Sequence, residues 1–185
     1  MDTGDHISKG NSSWSFAGID IDSFDSHISK SVPCYSEAHS IGLWLSDFFC
    51  KEQSNVYDIG SSSGSFLNKL HERHQQKDLN LIGLEQITDM FLESSNRYPN
   101  INFVNEDALQ HEFQSSDFIT SYFTIQFIPT AVRQQLINSI YNSLNWGGCF
   151  LMFEKVRAPD ARFHDYISQM YVEYKLDNGY TPDNI

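Results

Sequence analysis

Apolar positions along the chain follow two different periods. Over residues 36–49, Ile41, Trp44, Leu45, Phe48 and Phe49 recur at helical spacing and predict a helix with those side chains on its buried face. Pro33 just ahead favours a turn or a helix start. From Asn55 onward, short apolar runs alternate with helical patterns. The runs at 56–59, 79–84, 101–104, 117–123 and 149–153 predict five strands. Between them, Phe66, Leu67 and Leu70 open one helix, and Met90, Phe91 and Leu92 begin another that Pro99 closes. Val132, Leu136, Ile140 and Leu144, flanked by Ile137 and Tyr141, mark a third, stopped by the turn Trp146-Gly147-Gly148. A last helix spans 160–178, with Asp160 as its N-cap and Gly179 as its stop.

Strands that alternate with helices through short loops predict an α/β fold, with a mainly parallel sheet covered on both faces. The 185 residues, 40% of them hydrophobic, suffice for one globular core. Twelve basic residues against 24 acidic ones give a net charge of −12, which argues against an unaided grip on nucleic-acid phosphate. No apolar run reaches membrane-spanning length, and the acidic start of the chain does not resemble a secretory signal. Cys34, Cys50 and Cys149 lie far apart and read as reduced thiols, so a cytoplasmic protein is expected. His71 and His74 lack companion ligands, so no metal is expected and the pair reads as a solvated helix face.

Three strand ends carry candidate chemistry. Asp58-Ile59-Gly60-Ser61-Ser62-Ser63-Gly64 follows the first strand of the series and precedes a helix. Such a loop permits close backbone approach to a ligand at a helix N-terminus, although a plain connecting turn has the same composition. Ser62 stands where a middle glycine would make room for a pyrophosphate, so a nucleoside without phosphates fits better. Glu85 ends the next strand, 25 residues after Gly60, where a carboxylate can accept both hydroxyls of a ribose or simply face solvent. Glu106-Asp107-Ala108 follows the third strand. Asp107 there can accept from an adenine amine while the Ala108 N–H donates to the ring, or Asp107 can merely cap a turn.

Together these segments resemble the class I S-adenosyl-L-methionine (SAM) methyltransferases. More specifically, Ser31-Val32-Pro33-Cys34-Tyr35, Val56-Tyr57-Asp58-Ile59-Gly60-Ser61-Ser62, Phe123-Thr124-Ile125-Gln126-Phe127-Ile128, Asn145-Trp146-Gly147-Gly148, Glu154-Lys155 and Asn178-Gly179-Tyr180 resemble the carboxy-S-adenosylmethionine synthase family. The resemblance runs from about residue 24 to the last residue. It implies a Rossmann-like doubly wound sheet with an N-terminal helical lid. It implies a cofactor site of Tyr35, Asp58, Gly60, Ser61, Ser62, Gly64, Glu85, Gln86, Asp107, Ala108 and Tyr122, with Phe123 and Gln126 lining the substrate chamber. Tyr122 is a departure, because that family has an Asn there. The family also continues past Tyr180 with a helix and a closing antiparallel hairpin that this sequence does not contain.

The expected organisation is a flexible acidic leader over 1–24, a helical lid over 25–54, a SAM-binding core over 55–157 and a C-terminal helix with a truncated segment over 158–185. The expected activity is SAM-dependent methyl transfer to a small molecule or nucleoside. The alternatives are a carboxy-SAM synthase-like reaction that uses SAM and a carboxyl donor, and a non-catalytic SAM-binding fragment. Cofactor expectations are SAM or carboxy-SAM; partner expectations are a small-molecule substrate, no membrane and a homodimer. No catalytic base is identified, with His164 and Tyr122 as the only candidates.

Overall fold

The computed structural model describes residues 8–10, 13–15, 21–182 and 185. The chain forms two compact units, one of Met1–Ser36 with Lys155–Ile185 and one of Glu37–Glu154.

In the first unit, β1 (Ser8–Gly10) and β2 (Ser13–Ser15) pair antiparallel with Lys9 opposite Trp14. The rest of the expected leader up to residue 20 lies outside the described residues. Helix α1 (Ile21–Ser31) follows and buries Phe24. The C-terminal helix of this unit starts where the sequence places its cap: Asp160 Oδ1 accepts from the Phe163 N–H at 3.0 Å.

Helix α2 (Tyr35–Phe49) enters the second unit at Glu37. There follow β3 (Asn55–Ile59), α3 (Ser65–Arg73), β4 (Asn80–Leu84), α4 (Thr88–Arg97), β5 (Asn102–Val104), β6 (Ser116–Tyr122), α5 (Thr130–Ser143) and β7 (Leu144–Phe153). Helix α6 (Ala161–Asp177) belongs to the first unit, where the Tyr174 hydroxyl donates to the Ser29 carbonyl of α1 at 2.9 Å.

All pairings in the five-stranded sheet are parallel, in the order β5-β4-β3-β6-β7. Alternate strand residues face opposite sides. Val56, Leu81, Phe103 and Phe118 pack with Ala38 of α2 and with Phe66, Leu67 and Leu70 of α3. Tyr57, Ile59, Ile82, Leu84 and Ile119 pack with Leu136 and Ile140 of α5. The sheet is therefore covered on both faces, as its continuous apolar strands require. The chain winds outward through β3, β4 and β5, then returns to start β6 on the other side of β3. That reversal opens a crevice at the carboxyl ends of β3 and β6.

Three expectations are corrected. Only part of the expected face of α2 is covered: Leu45 and Phe49 pack against the core, but Ile41, Trp44 and Phe48 are exposed, while Ala38, His39, Gly42 and Ser46 are buried. Small residues at 38, 42 and 46 let the helix approach the sheet closely, which its bulky stripe would prevent. His74 is not solvated; it is buried and shares a 2.7 Å hydrogen bond with Ser46 Oγ. The last strand of the sheet begins at Leu144, not Cys149. Leu144 pairs with Ser116 and Cys149 with Phe118, so residues 145–148 bulge out of the ladder and leave Trp146 fully exposed. Tyr141 also points to solvent.

Candidate functional site at the carboxyl ends of the sheet

The loop after β3 is held by the end of β4. Both the Gly60 and Ser61 N–H groups donate to the Leu84 carbonyl, at 2.8 and 3.0 Å. Gly60 has φ +73, and a side chain there would run into Thr124. A glycine is thus required both by the backbone and by the chain passing over it. The Ser62 N–H donates to Glu85 Oε2 at 2.9 Å, and the Ile87 N–H donates to Oε1 at 2.8 Å. Asn105 Nδ2 donates to the Glu85 carbonyl at 2.8 Å, which ties the ends of β4 and β5 together. Glu85 is 4% exposed, and burial pushes its carboxyl above the usual range against the opposing pull of those N–H groups. Each Glu85 oxygen keeps acceptor capacity after its backbone bond. Gln86, next along, is exposed.

Asp58 lies one step inside. It is buried at the end of β3 and accepts from Thr120 Oγ1 at 2.8 Å. Burial, together with nearby Glu85, pushes its carboxyl up to about 7 despite the Thr120 bond. Ser61 Oγ is buried with no hydrogen-bond partner. Asp107 is exposed; it accepts from the Leu109 N–H at 2.9 Å, which leaves its other oxygen available, and Ala108 is half-buried beside it. The turn reading and the ligand reading of Asp107 are therefore compatible.

Beyond the end of β6 the site turns aromatic. Tyr122 packs at 4.8 Å between ring centres from both His39 and Phe66, and stacks on Phe153 at 5.8 Å. Its hydroxyl fills the place that a side chain on Gly42 would occupy. Burial, and Lys69 at a distance, push His39 down to about 3, so its ring is neutral at ordinary pH. Phe123 has a left-handed backbone, φ 55, in a side chain type that rarely adopts it. The next turn is clamped: Glu154 accepts from the Ile125 and Gln126 N–H groups at 2.6 and 3.3 Å, while Arg133 donates to the Gln126 and Ile128 carbonyls. Gln126 itself is exposed and donates to the Phe123 carbonyl.

The fold thus gathers Asp58, Gly60, Ser61, Ser62, Gly64, Glu85, Gln86, Asp107, Ala108, Tyr122, Phe123 and Gln126 at consecutive strand ends of one unit. Tyr35 and His164 belong to the other unit, where the Tyr35 hydroxyl donates to Asp25 at 3.5 Å. Sequence reasoning gave no site role to Thr120, Thr124, His39 or Glu154, although Thr124 and Glu154 lie in segments that carry the resemblance. Glu154 carries the signal used for Glu85, a carboxylate directly after a strand. Among the described residues no group of side chains could hold a metal, and no helix is long and apolar enough to cross a membrane.

Residues 56–148 match the family described as a methyltransferase domain. The carboxy-S-adenosyl-L-methionine synthase of Staphylococcus epidermidis is 36% identical over 164 residues, which cover 88% of this chain and 72% of that protein. The same enzyme of Nautilia profundicola is 32% identical over 162 residues, covering 85% and 68%. Among solved structures, phosphoethanolamine N-methyltransferase 2 of Haemonchus contortus in complex with SAM superposes with a TM-score of 0.57 at 19% identity, over 88% of this chain and 41% of that one. The SAM-bound amino pentose methyltransferase of Micromonospora echinaspora superposes with a TM-score of 0.61 at 17% identity, over 75% and 58%.

Proposed function

Since the chain belongs to the class I SAM-dependent methyltransferase family, among relatives that are carboxy-SAM synthases, we propose that it binds SAM at the carboxyl ends of β3 to β6 and converts it to carboxy-SAM. The observation that carries this reading is Glu85. Its carboxylate is buried at the end of β4, anchored by the Ser62 and Ile87 N–H groups, and still able to accept two ribose hydroxyls. The unpartnered Ser61 hydroxyl beside the same loop supplies a further polar contact that a nucleoside would satisfy.

The roles follow from position. Asp107 and Ala108 meet the adenine edge, and Gln86 covers the ribose next to Glu85. Asp58, Gly60, Ser61, Ser62 and Gly64 surround the ribose and methionine portions. Tyr122 serves the methionine end. SAM supplies a sulfonium whose positive charge acidifies the attached methyl; that carbon would lose a proton and take the carboxyl group released by a carboxyl donor, and the proton would pass to what remains of the donor. Phe123 and Gln126 line the space for the second reactant. Burial pushes the Asp58 carboxyl up to about 7, and a bound cation nearby would favour its ionised form. We infer a cytoplasmic enzyme acting on small molecules.

A second reading is methyl transfer to a separate small molecule or nucleoside. Tyr122 favours it, because the synthase family has an Asn at the cofactor's carboxylate end. Incubation with methyl-labelled SAM and a small-molecule cell extract, followed by mass spectrometry, decides between them. Carboxy-SAM that retains the labelled carbon supports the first reading; label on a separate acceptor with release of the demethylated cofactor supports the second. Absence of SAM binding by calorimetry would remove both.

A further inference from the structure

The segment that follows β5 is fixed at both ends. At its start, Asn105 Nδ2 donates to the Glu85 carbonyl at 2.8 Å and Asn105 Oδ1 accepts from the Thr88 hydroxyl at 3.0 Å, so the end of β4 and the start of α4 hold it. At its far end, Glu106 Oε2 and His111 Nδ1 stand 2.7 Å apart. An ionised carboxylate only accepts, so the Nδ1–H donates. The other ring nitrogen, Nε2, is buried with no hydrogen-bond partner, which makes Glu106 the one polar anchor of the ring among the described residues. The ring is bedded between two others. Its centre lies 5.5 Å from that of Tyr57 and 5.0 Å from that of Phe113, both edge to face, and Tyr57 meets Phe113 in the same way at 5.2 Å. Tyr57 is buried in β3, directly before Asp58, and its hydroxyl accepts from the Gln114 N–H at 3.2 Å.

The Glu106–His111 bond thus ties the turn after β5 to β3, two strands across the sheet. Asp107 and Ala108 lie between its partners. That turn closes without help: Asp107 Oδ1 accepts from the Leu109 N–H at 2.9 Å, and the Asp107 carbonyl accepts from the Gln110 N–H at 2.8 Å. What the bond adds is direction. The second Asp107 oxygen and the Ala108 N–H read a base only if they keep a fixed attitude to the crevice. Asp107 is exposed, so burial does not keep it there. Adenine presents a donor at its amine and an acceptor at the adjacent ring nitrogen; hypoxanthine presents the reverse. A rigid acceptor–donor pair favours the first base and opposes the second, whereas a loose one turns away from the mismatch.

We propose that His111 is a positioning residue: through Glu106 it aims Asp107 and Ala108 so that the site accepts adenine and rejects hypoxanthine. The proposal rests on the SAM-binding reading of the preceding subsection.

The test is calorimetric titration of the full chain with S-adenosyl-L-homocysteine and with S-inosyl-L-homocysteine, which carries hypoxanthine in place of adenine. The variants are H111F, E106A and E106Q, each with its melting temperature. H111F keeps an aromatic ring between Tyr57 and Phe113 and loses the hydrogen bond. The Glu106 side chain is 39% exposed, so E106A reads the same loss without touching the ring cluster. The wild-type chain is expected to bind the adenosyl ligand roughly tenfold more tightly than the inosyl one, or better. H111F and E106A should shrink that ratio to about threefold or less, chiefly by weakening the adenosyl ligand. E106Q keeps an acceptor for the Nδ1–H and should hold the ratio within about twofold of wild type. A ratio unchanged in both H111F and E106A overturns the proposal, even if both ligands bind more weakly, because His111 then supports the fold alone. Equal binding of the two ligands by the wild-type chain also overturns it but leaves SAM binding in place. Binding of neither ligand defeats the SAM-binding reading, and the proposal with it.

Discussion

The hydroxyl of Tyr122 occupies the space beside Gly42 where any other residue would place its Cβ. The contact lets α2 close over the aromatic cluster of His39, Phe66 and Tyr122. Gly42→Ala therefore forces either the helix or the tyrosine to move. Overpacking of this kind costs about 1–3 kcal/mol. A lowered melting temperature is expected, restored in large part by adding Tyr122→Phe, which removes the colliding atom. A Gly42→Ala protein that melts like wild type would contradict this.

Removal of the Glu85 carboxylate strips two backbone N–H groups of their acceptor along with the ribose contact. Each charge-assisted bond is worth about 1.5–3 kcal/mol. Glu85→Ala should weaken SAM binding by roughly 10- to 100-fold or more, and Glu85→Gln, which keeps one acceptor oxygen, by less. Isothermal titration with SAM measures both.

Two buried groups give the folded unit opposite responses to pH. Asp58 titrates near 7 when folded against 3.8 when unfolded, so its contribution is greatest below 3.8 and is lost as pH rises to 7. His39 titrates near 3 when folded against 6.5 when unfolded, so its contribution is full above 6.5 and is lost as pH falls to 3. Between about pH 4 and 6.5 the two slopes offset each other. Asp58→Asn should unmask a stability that rises with pH over that range; His39→Phe should unmask one that falls. Denaturant melts at several pH values read the slopes, and two parallel curves would refute the pairing.

Glu154 restrains the turn that carries Gln126 through the Ile125 N–H at 2.6 Å. Glu154→Gln keeps one acceptor and loses the charge. It should lower turnover while leaving the dissociation constant for SAM within about twofold, since Glu85 and Asp107 are untouched. A drop in SAM affinity as large as that of Glu85→Ala would show that Glu154 acts on the cofactor instead.

The strands and their order of appearance were legible because doubly covered parallel strands leave long apolar runs, and the candidate ligands were legible because they sit directly after those runs. The orientation of α2 was not. Its apolar periodicity names Ile41, Trp44 and Phe48, yet close approach of backbone to sheet is decided by the small residues on the other side. Trp44→Gln should accordingly change stability by less than about 0.5 kcal/mol. The start of β7 was hidden for a different reason: a bulge interrupts the ladder, and Gly147-Gly148 reads as a turn in either case. Thr120 gave no signal and Thr124 only its place in a family-like segment, because a threonine in or after a strand is ordinary until its partner is known.

The β3–β6 pairing has a consequence for how the molecule assembles and comes apart. Contacts within β3–α3–β4–α4–β5 are short in sequence, and so are those within β6–α5–β7, whereas the Thr120–Asp58 bond joins residues 62 apart. The seam between the two halves closes the longest loop in the sheet and should form late. The crevice exists only once that seam is shut, with Asp58 and Gly60 on one side and Tyr122 and Thr124 on the other. A nucleoside bound there would act as a clasp: its affinity would add directly to the work of separating the halves. A chain nicked in the connection between β5 and β6 should therefore hold together more firmly with the ligand than without it.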